Sequence, residues 1–392
     1  MFKKILILSA LALAVSPLPQ VLRAADPARP NAAEIARQQF DLRVHLLEER
    51  LRSGDPDREQ KALDELRSWV ADDVRAHDGP EMLLRLQGAL MTPKHYADFL
   101  TLLNLALPNV ASGRLDQRRD IVVLQCRCQF RLRQYDVAIT AFKKLLAADA
   151  PGAARQAGDD AIAALLAGQR YNELDDLGLQ IILARPEDTG RVESVLQAQI
   201  KAFSIEKRFD KALAASKQLF AVSSMAHTGD ALLTLSRQFA LARPEDKTIV
   251  ERFRKEQIDG AAPPSAPSVA AASSSSSTTL AVALAMPAAS FADGDAPRPS
   301  AMLAQVKIDP TPYAAALKDI LDDDFDSQMR RGNLLLLMDQ PRDAKAAFER
   351  AASLAEERQL STAFEAIARA IKAQDGTIGR ANAYLTVINE SK

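Results

Sequence analysis

The chain has 392 residues, 47% of them hydrophobic and 26% charged, which supplies a sizeable core and length for two domains of ordinary size. A net charge of −1 gives no bulk electrostatic signal for nucleic acid, and aromatic residues at 5% are a poor supply of stacking platforms for bases or sugars. Only 15 glycines and few stretches that alternate apolar with polar argue against an all-β fold.

The N-terminus reads as an export signal over residues 1–24. Lys3 and Lys4 form a basic start, Ile5 to Val15 a short apolar run, Pro17 and Pro19 a break, and Ala24 a small residue suited to cleavage. The apolar run is too short to cross a bilayer, and no cysteine follows it to carry a lipid. Cleavage removes three basic residues and no acidic one, so the mature chain is mildly acidic, free of a membrane span, and periplasmic or secreted.

Residues 25–258 read as a run of helices. Asn31 to Ser53 places Phe40, Val44, Leu47 and Leu51 at helical spacing; after the Gly54-Asp55-Pro56 turn, Asp57 to Ala76 does the same with Leu63, Leu66, Val70 and Val74. Trp69, the single tryptophan, stands beside that face as a core anchor. From Gly79 the pattern becomes regular. An aromatic residue opens the second helix of each pair at Tyr96, Tyr135, Tyr171 and Phe209, and the residue three positions later (Phe99, Ala138, Leu174, Ala212) faces the partner helix. Tyr135, Ala138, Phe142 and Leu145 form the clearest such stripe. The hexapeptide LARPED occurs at Leu183–Asp188 and again at Leu241–Asp246; in each, proline ends one helix and the acidic pair opens the next, favourably for its dipole. The charged stretch Lys247 to Gln257 reads as a helix capping the array.

Residues 259–308 change character. They are rich in Ala, Pro and Ser, include Ser273 to Ser277, and read as a linker. Helical periodicity returns in a smaller module, residues 309–392, first over Thr311 to Leu321. Then comes Gln328–Ala351, in which Gly332 is followed by Leu335, Pro341, Ala344, Phe348 and Ala351. Gly332 and Ala344 leave room for two helices to cross closely, QPRD is the turn, and Phe348 and Ala351 continue the apolar stripe of the second helix. Ile367, Ala368, Ile371, Ala381, Tyr384, Leu385 and Ile388 repeat the pattern.

This arrangement of small and large residues resembles the tetratricopeptide repeat, a family of helical hairpins, most closely in the C-terminal module. The units between Tyr96 and Phe209 are spaced 39, 36 and 38 residues apart, longer than the family's unit, and Phe99 and Leu174 stand where two of them need a small residue. A longer type of helical repeat is the alternative. The expected fold is all-α: an α-solenoid of stacked antiparallel hairpins followed by the smaller module. The resemblance implies that the first helix of each hairpin lines a concave groove. Arg127, Arg131 and Lys201 fall on that face, and Asn333 falls where the family holds a peptide backbone or terminal carboxylate. Met329 stands where the family's basic partner would be. A positively charged groove implies a protein or peptide partner, acidic in character.

The residues offer no chemistry of their own. Four scattered histidines show no metal-binding spacing, and no nucleophile elbow, phosphate loop or dinucleotide fingerprint is present. Asp322, Asp324 and Asp326 lack the Gly and Glu that a calcium loop needs and read as an acidic helix start. Cys126 and Cys128, two apart on a helix, point about 200° apart and read as small packing residues. No cofactor, metal or catalytic residue is expected. The leading expectation is an exported, non-enzymatic adaptor; a self-assembling envelope component, a homo-oligomer, comes next, and a superhelical cell-wall enzyme last.

Overall fold

The structure is a computed structural model and describes residues 32–71, 78–148, 153–242, 303, 305–376 and 378–390. The expected signal segment 1–24, residues 259–302 of the low-complexity stretch, the charged helix Lys247–Gln257 and the second LARPED copy past Ala242 lie outside the described residues. Among the described residues there are sixteen α-helices, two single 3-10 turns and no strand. The protein is all-α. The helices are α1 Ala32–Leu51, α2 Pro56–Ala71, α3 Gly79–Leu90, α4 Tyr96–Ala106, α5 Leu115–Arg131, α6 Tyr135–Ala147, α7 Ala153–Ala167, α8 Tyr171–Ala184, α9 Thr189–Ile205, α10 Phe209–Val222 and α11 Thr228–Ala242, then α12 Thr311–Lys318, α13 Phe325–Leu337, α14 Pro341–Leu354, α15 Glu357–Asp375 and α16 Gly379–Glu390.

Tyr96, Tyr135, Tyr171 and Phe209 are each the first residue of a helix, as the sequence pattern requires. The turns before three of them share one geometry. Arg133, Gln169 and Lys207 adopt the left-handed conformation with φ of 61°, 57° and 59°. The next amide in each case (Gln134, Arg170, Arg208) donates to the carbonyl five residues back, at 2.8–2.9 Å. This 6→1 bond closes the first helix, and the residue carrying it is already the N-cap of the second. Asp339, with φ 61°, and Gln340 build the same turn before Pro341. Four different sequences thus form one hairpin corner, each with a non-glycine residue in the strained position.

Helix starts follow local chemistry. Asp188 of the first LARPED copy caps α9 by accepting from the Arg191 amide. Asp324 caps α13 by accepting from the Ser327 amide at 2.7 Å, the role read for that acidic cluster. Glu356 and Gln359 form a capping box on α15, and Gly376, φ 70°, ends that helix.

The chain divides into two compact units inside α2, between Glu65 and Leu66. In the first, Val44, Leu47 and Leu51 of α1 are buried, as are Ala62 and Leu63 of α2, and Arg43 and Arg50 both reach Glu65 at 2.8 Å. The second unit runs from Leu66 to the C-terminus. Trp69 is only half-buried there, beside the fully buried Val70. Within this unit consecutive helices pack on each other from α3 to α11; in addition α5 packs on α7, α6 on α8 and α7 on α9. Ala138, Phe142 and Ala212 are fully buried, with the Phe130 and Phe142 rings edge-on at 6.3 Å. Tyr135 and Phe209 are half-buried at the corners.

Gly332 of α13 faces Phe348 of α14 so closely that a Cβ would lie 2.6 Å from its Cδ1 and 2.7 Å from its Cζ, nearer still to Cε1. Ala344, Phe348 and Ala351 have no exposed surface, and Leu335 is buried. The crossing inferred from the sequence is therefore present. The separate C-terminal core is not. One continuous apolar core runs from Val123 to Ile388, and α10 packs against α13 and α15 as well as α9 and α11. The physical reason lies in α10 itself, which is buried on every face from Ala212 to Val222, save for half-buried Ala214. A helix buried all round needs neighbours all round.

Candidate functional site

Two regions of the second unit gather polar groups in a directed way: a groove between α9 and α11, and the junction where α15 meets the α10–α11 loop.

The groove has a volume of about 490 Å³ and opens widely to solvent. Gln197, Lys201 and Ile205 recur at every fourth residue of α9 and so stand in one row; Thr234 and Gln238 do the same on α11. Ile200 and Ser204 complete the lining. The Ser204 hydroxyl shares its one hydrogen between the Ile200 carbonyl at 2.7 Å and Gln238 Oε1 at 3.2 Å, and the second contact links the two walls. Ile205 is 54% exposed, a large apolar side chain left open at one end. Lys201 is exposed and is the only charged residue of the lining. Of the four residues expected on a binding face, this is the one the structure places in an open groove.

The other three are engaged elsewhere. Arg127 and Arg131, one turn apart on α5, both reach Asp160 of α7: Arg127 Nε at 2.6 Å from Oδ2, and Arg131 Nη2 on Oδ1. The Asp160 side chain is 6% exposed, so a buried carboxylate already draws on the charge of both arginines. The free cationic face expected there is corrected to an internal clamp between α5 and α7. Asn333 is corrected further. It is completely buried, donates Nδ2 to the Met329 carbonyl at 2.8 Å, and accepts from Arg369 Nη1 at 2.9 Å. It cannot touch a ligand in a groove, because α15 covers it.

The junction was not read from the sequence. Lys217 of α10 donates to the Leu303 and Val306 carbonyls at 2.6 and 3.2 Å and to Asp339 Oδ2 at 2.5 Å. Gln218 donates to the Tyr313 hydroxyl and the Leu337 carbonyl. Arg369 donates to the Val222 carbonyl as well as to Asn333, and burial pushes its guanidinium down to about 10. Lys372 donates to the Ser223 carbonyl at 2.7 Å, to Ser223 Oγ at 3.2 Å and to Thr228 Oγ1 at 3.1 Å. Glu193 of α9 accepts from the Ser224 amide and pairs with His227 Nδ1, both at 2.9 Å. A signal for these anchors does exist in the sequence. Lys217-Gln218 interrupts the apolar run from Ala212 to Val222, and Arg369 and Lys372, three apart, interrupt AIARAIKA.

Cys126 and Cys128 are unpaired and have no exposed surface; burial, the largest cause in both, pushes each thiol up to about 12. Cys126 Sγ donates to the Ala138 carbonyl across the α5–α6 crossing, the role of a small packing residue. Among the described residues no cluster of three His, Cys, Asp or Glu is disposed to hold a metal ion, and no helix is long and apolar enough to cross a membrane. No protein-family model matches the chain, and no curated protein matches it significantly.

Proposed function

We propose that the protein is an exported, non-enzymatic adaptor of the periplasm or the extracellular space, whose hairpins stack as a tetratricopeptide-like solenoid and hold a protein or peptide partner. Three things support this reading: the export-type N-terminus, the resemblance of the hairpins to that family, and the recurrence of one corner geometry at Arg133, Gln169, Lys207 and Asp339. The observation that carries the binding surface is the α9–α11 groove. It combines an exposed apolar side chain, two amide side chains, two hydroxyls and a single ammonium with no carboxylate in its lining. Amides pair with an extended peptide backbone, Ile200 and Ile205 accept an aliphatic side chain, and Lys201 attracts a carboxylate. The ligand is therefore a peptide segment carrying negative charge.

The test is site-specific photo-crosslinking in the native cell envelope. A crosslinker at Thr234 should trap one defined partner, and Lys201→Glu should abolish the product while leaving the fold intact. A crosslinker at Val137, exposed on α6, serves as the control. Equal trapping from both positions, or trapping indifferent to Lys201→Glu, removes this groove as the binding surface.

A further inference from the structure

Lys372 presents an unusual problem. Its side chain is completely buried, yet among the described residues no carboxylate forms an ion pair with it. Its three partners are the carbonyl of Ser223 and two hydroxyls, all at the loop between α10 and α11. Its ammonium also lies 5.1 Å from the centre of the Phe220 ring. An ammonium taken from water without a counter-ion is strongly disfavoured, and such a group gives up its proton instead. The three oxygens suit that outcome. A neutral amine donates two hydrogens and accepts one, and a hydroxyl rotates to whichever partner needs it. Ser223 Oγ spends its own hydrogen on a 3.2 Å bond to the Phe220 carbonyl, the weaker of the two hydroxyl bonds here, and is free to turn toward Nζ.

The surroundings do not compensate the charge. Arg369, one turn earlier on α15, is a second buried cation. Against these two stands one buried carboxylate, Glu193 of α9, already bonded to the Ser224 amide and to His227 of the 3-10 turn Met225–His227. Glu365 of α15 is exposed, and Asp375 at the end of α15 is paired with Arg380 of α16. Helix α10 presents the Phe220 ring, α11 the Thr228 hydroxyl, and α13 the neutral Asn333.

We propose that the contact between α15 and the α10–α11 junction is a proton-sensitive latch: it closes over Lys372 as a neutral amine and loosens when Nζ takes a proton from solvent. The geometry agrees with the direction in which the lysine's pKa moves: burial first and Arg369 second hold it well below the ordinary lysine value. The sign follows. An opened chain returns Lys372 to its ordinary value and binds a proton that the closed chain has lost, so closing strengthens as pH rises toward that ordinary value. Below the lowered value both states carry the proton and the dependence flattens. In an envelope protein exposed to the pH of its surroundings, the latch would couple the C-terminal helices to acidification. It acts at the base of α11, the helix that forms one wall of the groove.

The experiment uses the full chain. Urea unfolding followed by circular dichroism is compared at about pH 7.5 and about pH 9, above the ordinary histidine range, in the full chain carrying Cys126→Ala and Cys128→Ala, because the two thiols titrate in the unfolded chain over this interval and would oppose the lysine. For one proton released on closing, the unfolding constant of this chain should fall more than threefold and by up to about 30-fold across that interval. Lys372→Gln keeps a donor and cannot titrate, and should reduce the change to less than about threefold. Hydrogen exchange over residues 223–242 and 357–375, corrected for its intrinsic pH dependence, should show wild-type protection rising with pH. An unfolding constant of the Lys372-bearing, cysteine-free chain that stays within threefold overturns the proposal whether or not Lys372→Gln folds. An undiminished slope in Lys372→Gln does so as well.

Discussion

Gly332→Ala tests the close crossing of α13 and α14 with a single methyl group. In an ordinary helix the change would stabilise by about 1 kcal/mol, since glycine is the weaker helix former. Here the methyl would sit 2.6 Å from Phe348 Cδ1 and 2.7 Å from Cζ, more than 1 Å inside ordinary carbon–carbon contact. The ring cannot swing to solvent, because Phe348 has no exposed surface and the Arg369 guanidinium stands 5.7 Å from its centre. That guanidinium is itself held by the Val222 carbonyl and Asn333. Overpacking of a well-packed core costs about 1–3 kcal/mol, and a ring with no retreat belongs at the upper end. Subtracting the propensity gain leaves a net destabilisation of about 2 kcal/mol. Urea denaturation by circular dichroism should show a lower midpoint with unchanged slope. Phe348→Leu in the same chain removes the clash, so the double variant should be less destabilised than the sum of the two singles by about 1 kcal/mol or more. A Gly332→Ala protein as stable as the wild type, or strictly additive losses, would refute the close-crossing argument.

Lys207→Gly relieves a left-handed residue at an exposed corner and should stabilise the protein by about 0.5–1 kcal/mol in the same assay; Asp339→Gly should not, because it also deletes the Lys217 contact. Asp160→Ala leaves two arginines without their shared carboxylate and should destabilise by about 1–3 kcal/mol, measured by thermal melting with added salt as a control. Because Cys126 and Cys128 are raised to about 12 when folded, the folded state keeps both protonated while the unfolded chain releases them. Stability should therefore be full below the ordinary thiol value and fall as pH climbs from about 9 toward about 12, with thiol labelling tracking global unfolding. Retention of labelling-resistant thiols after the helical signal is lost would contradict this.

The sequence by itself determined the all-helical character, the places where helices begin, and the crossing at Gly332. Those depend on neighbours along the chain: a 3.6-residue apolar period, an aromatic or proline after a corner, an aspartate whose side chain caps the amide three residues on. It also marked Lys201 as a surface cation. Only the tertiary structure decided what the remaining polar residues do. Arg127 and Arg131 are typical of a solvated helix face until α7 brings Asp160 between them. Asn333 lies at a family groove position until α15 closes over it and Arg369 bonds to it. The helices past residue 303 read as an independent module because the stretch before them carries no periodicity. They nevertheless join the core of α10, where Lys217, Gln218, Arg369 and Lys372 bond to oxygens about 86 to 149 residues away. Helical periodicity records which face of a helix is buried; it carries no record of which distant backbone oxygen will satisfy a buried cation, and that pairing exists only once the chain has packed.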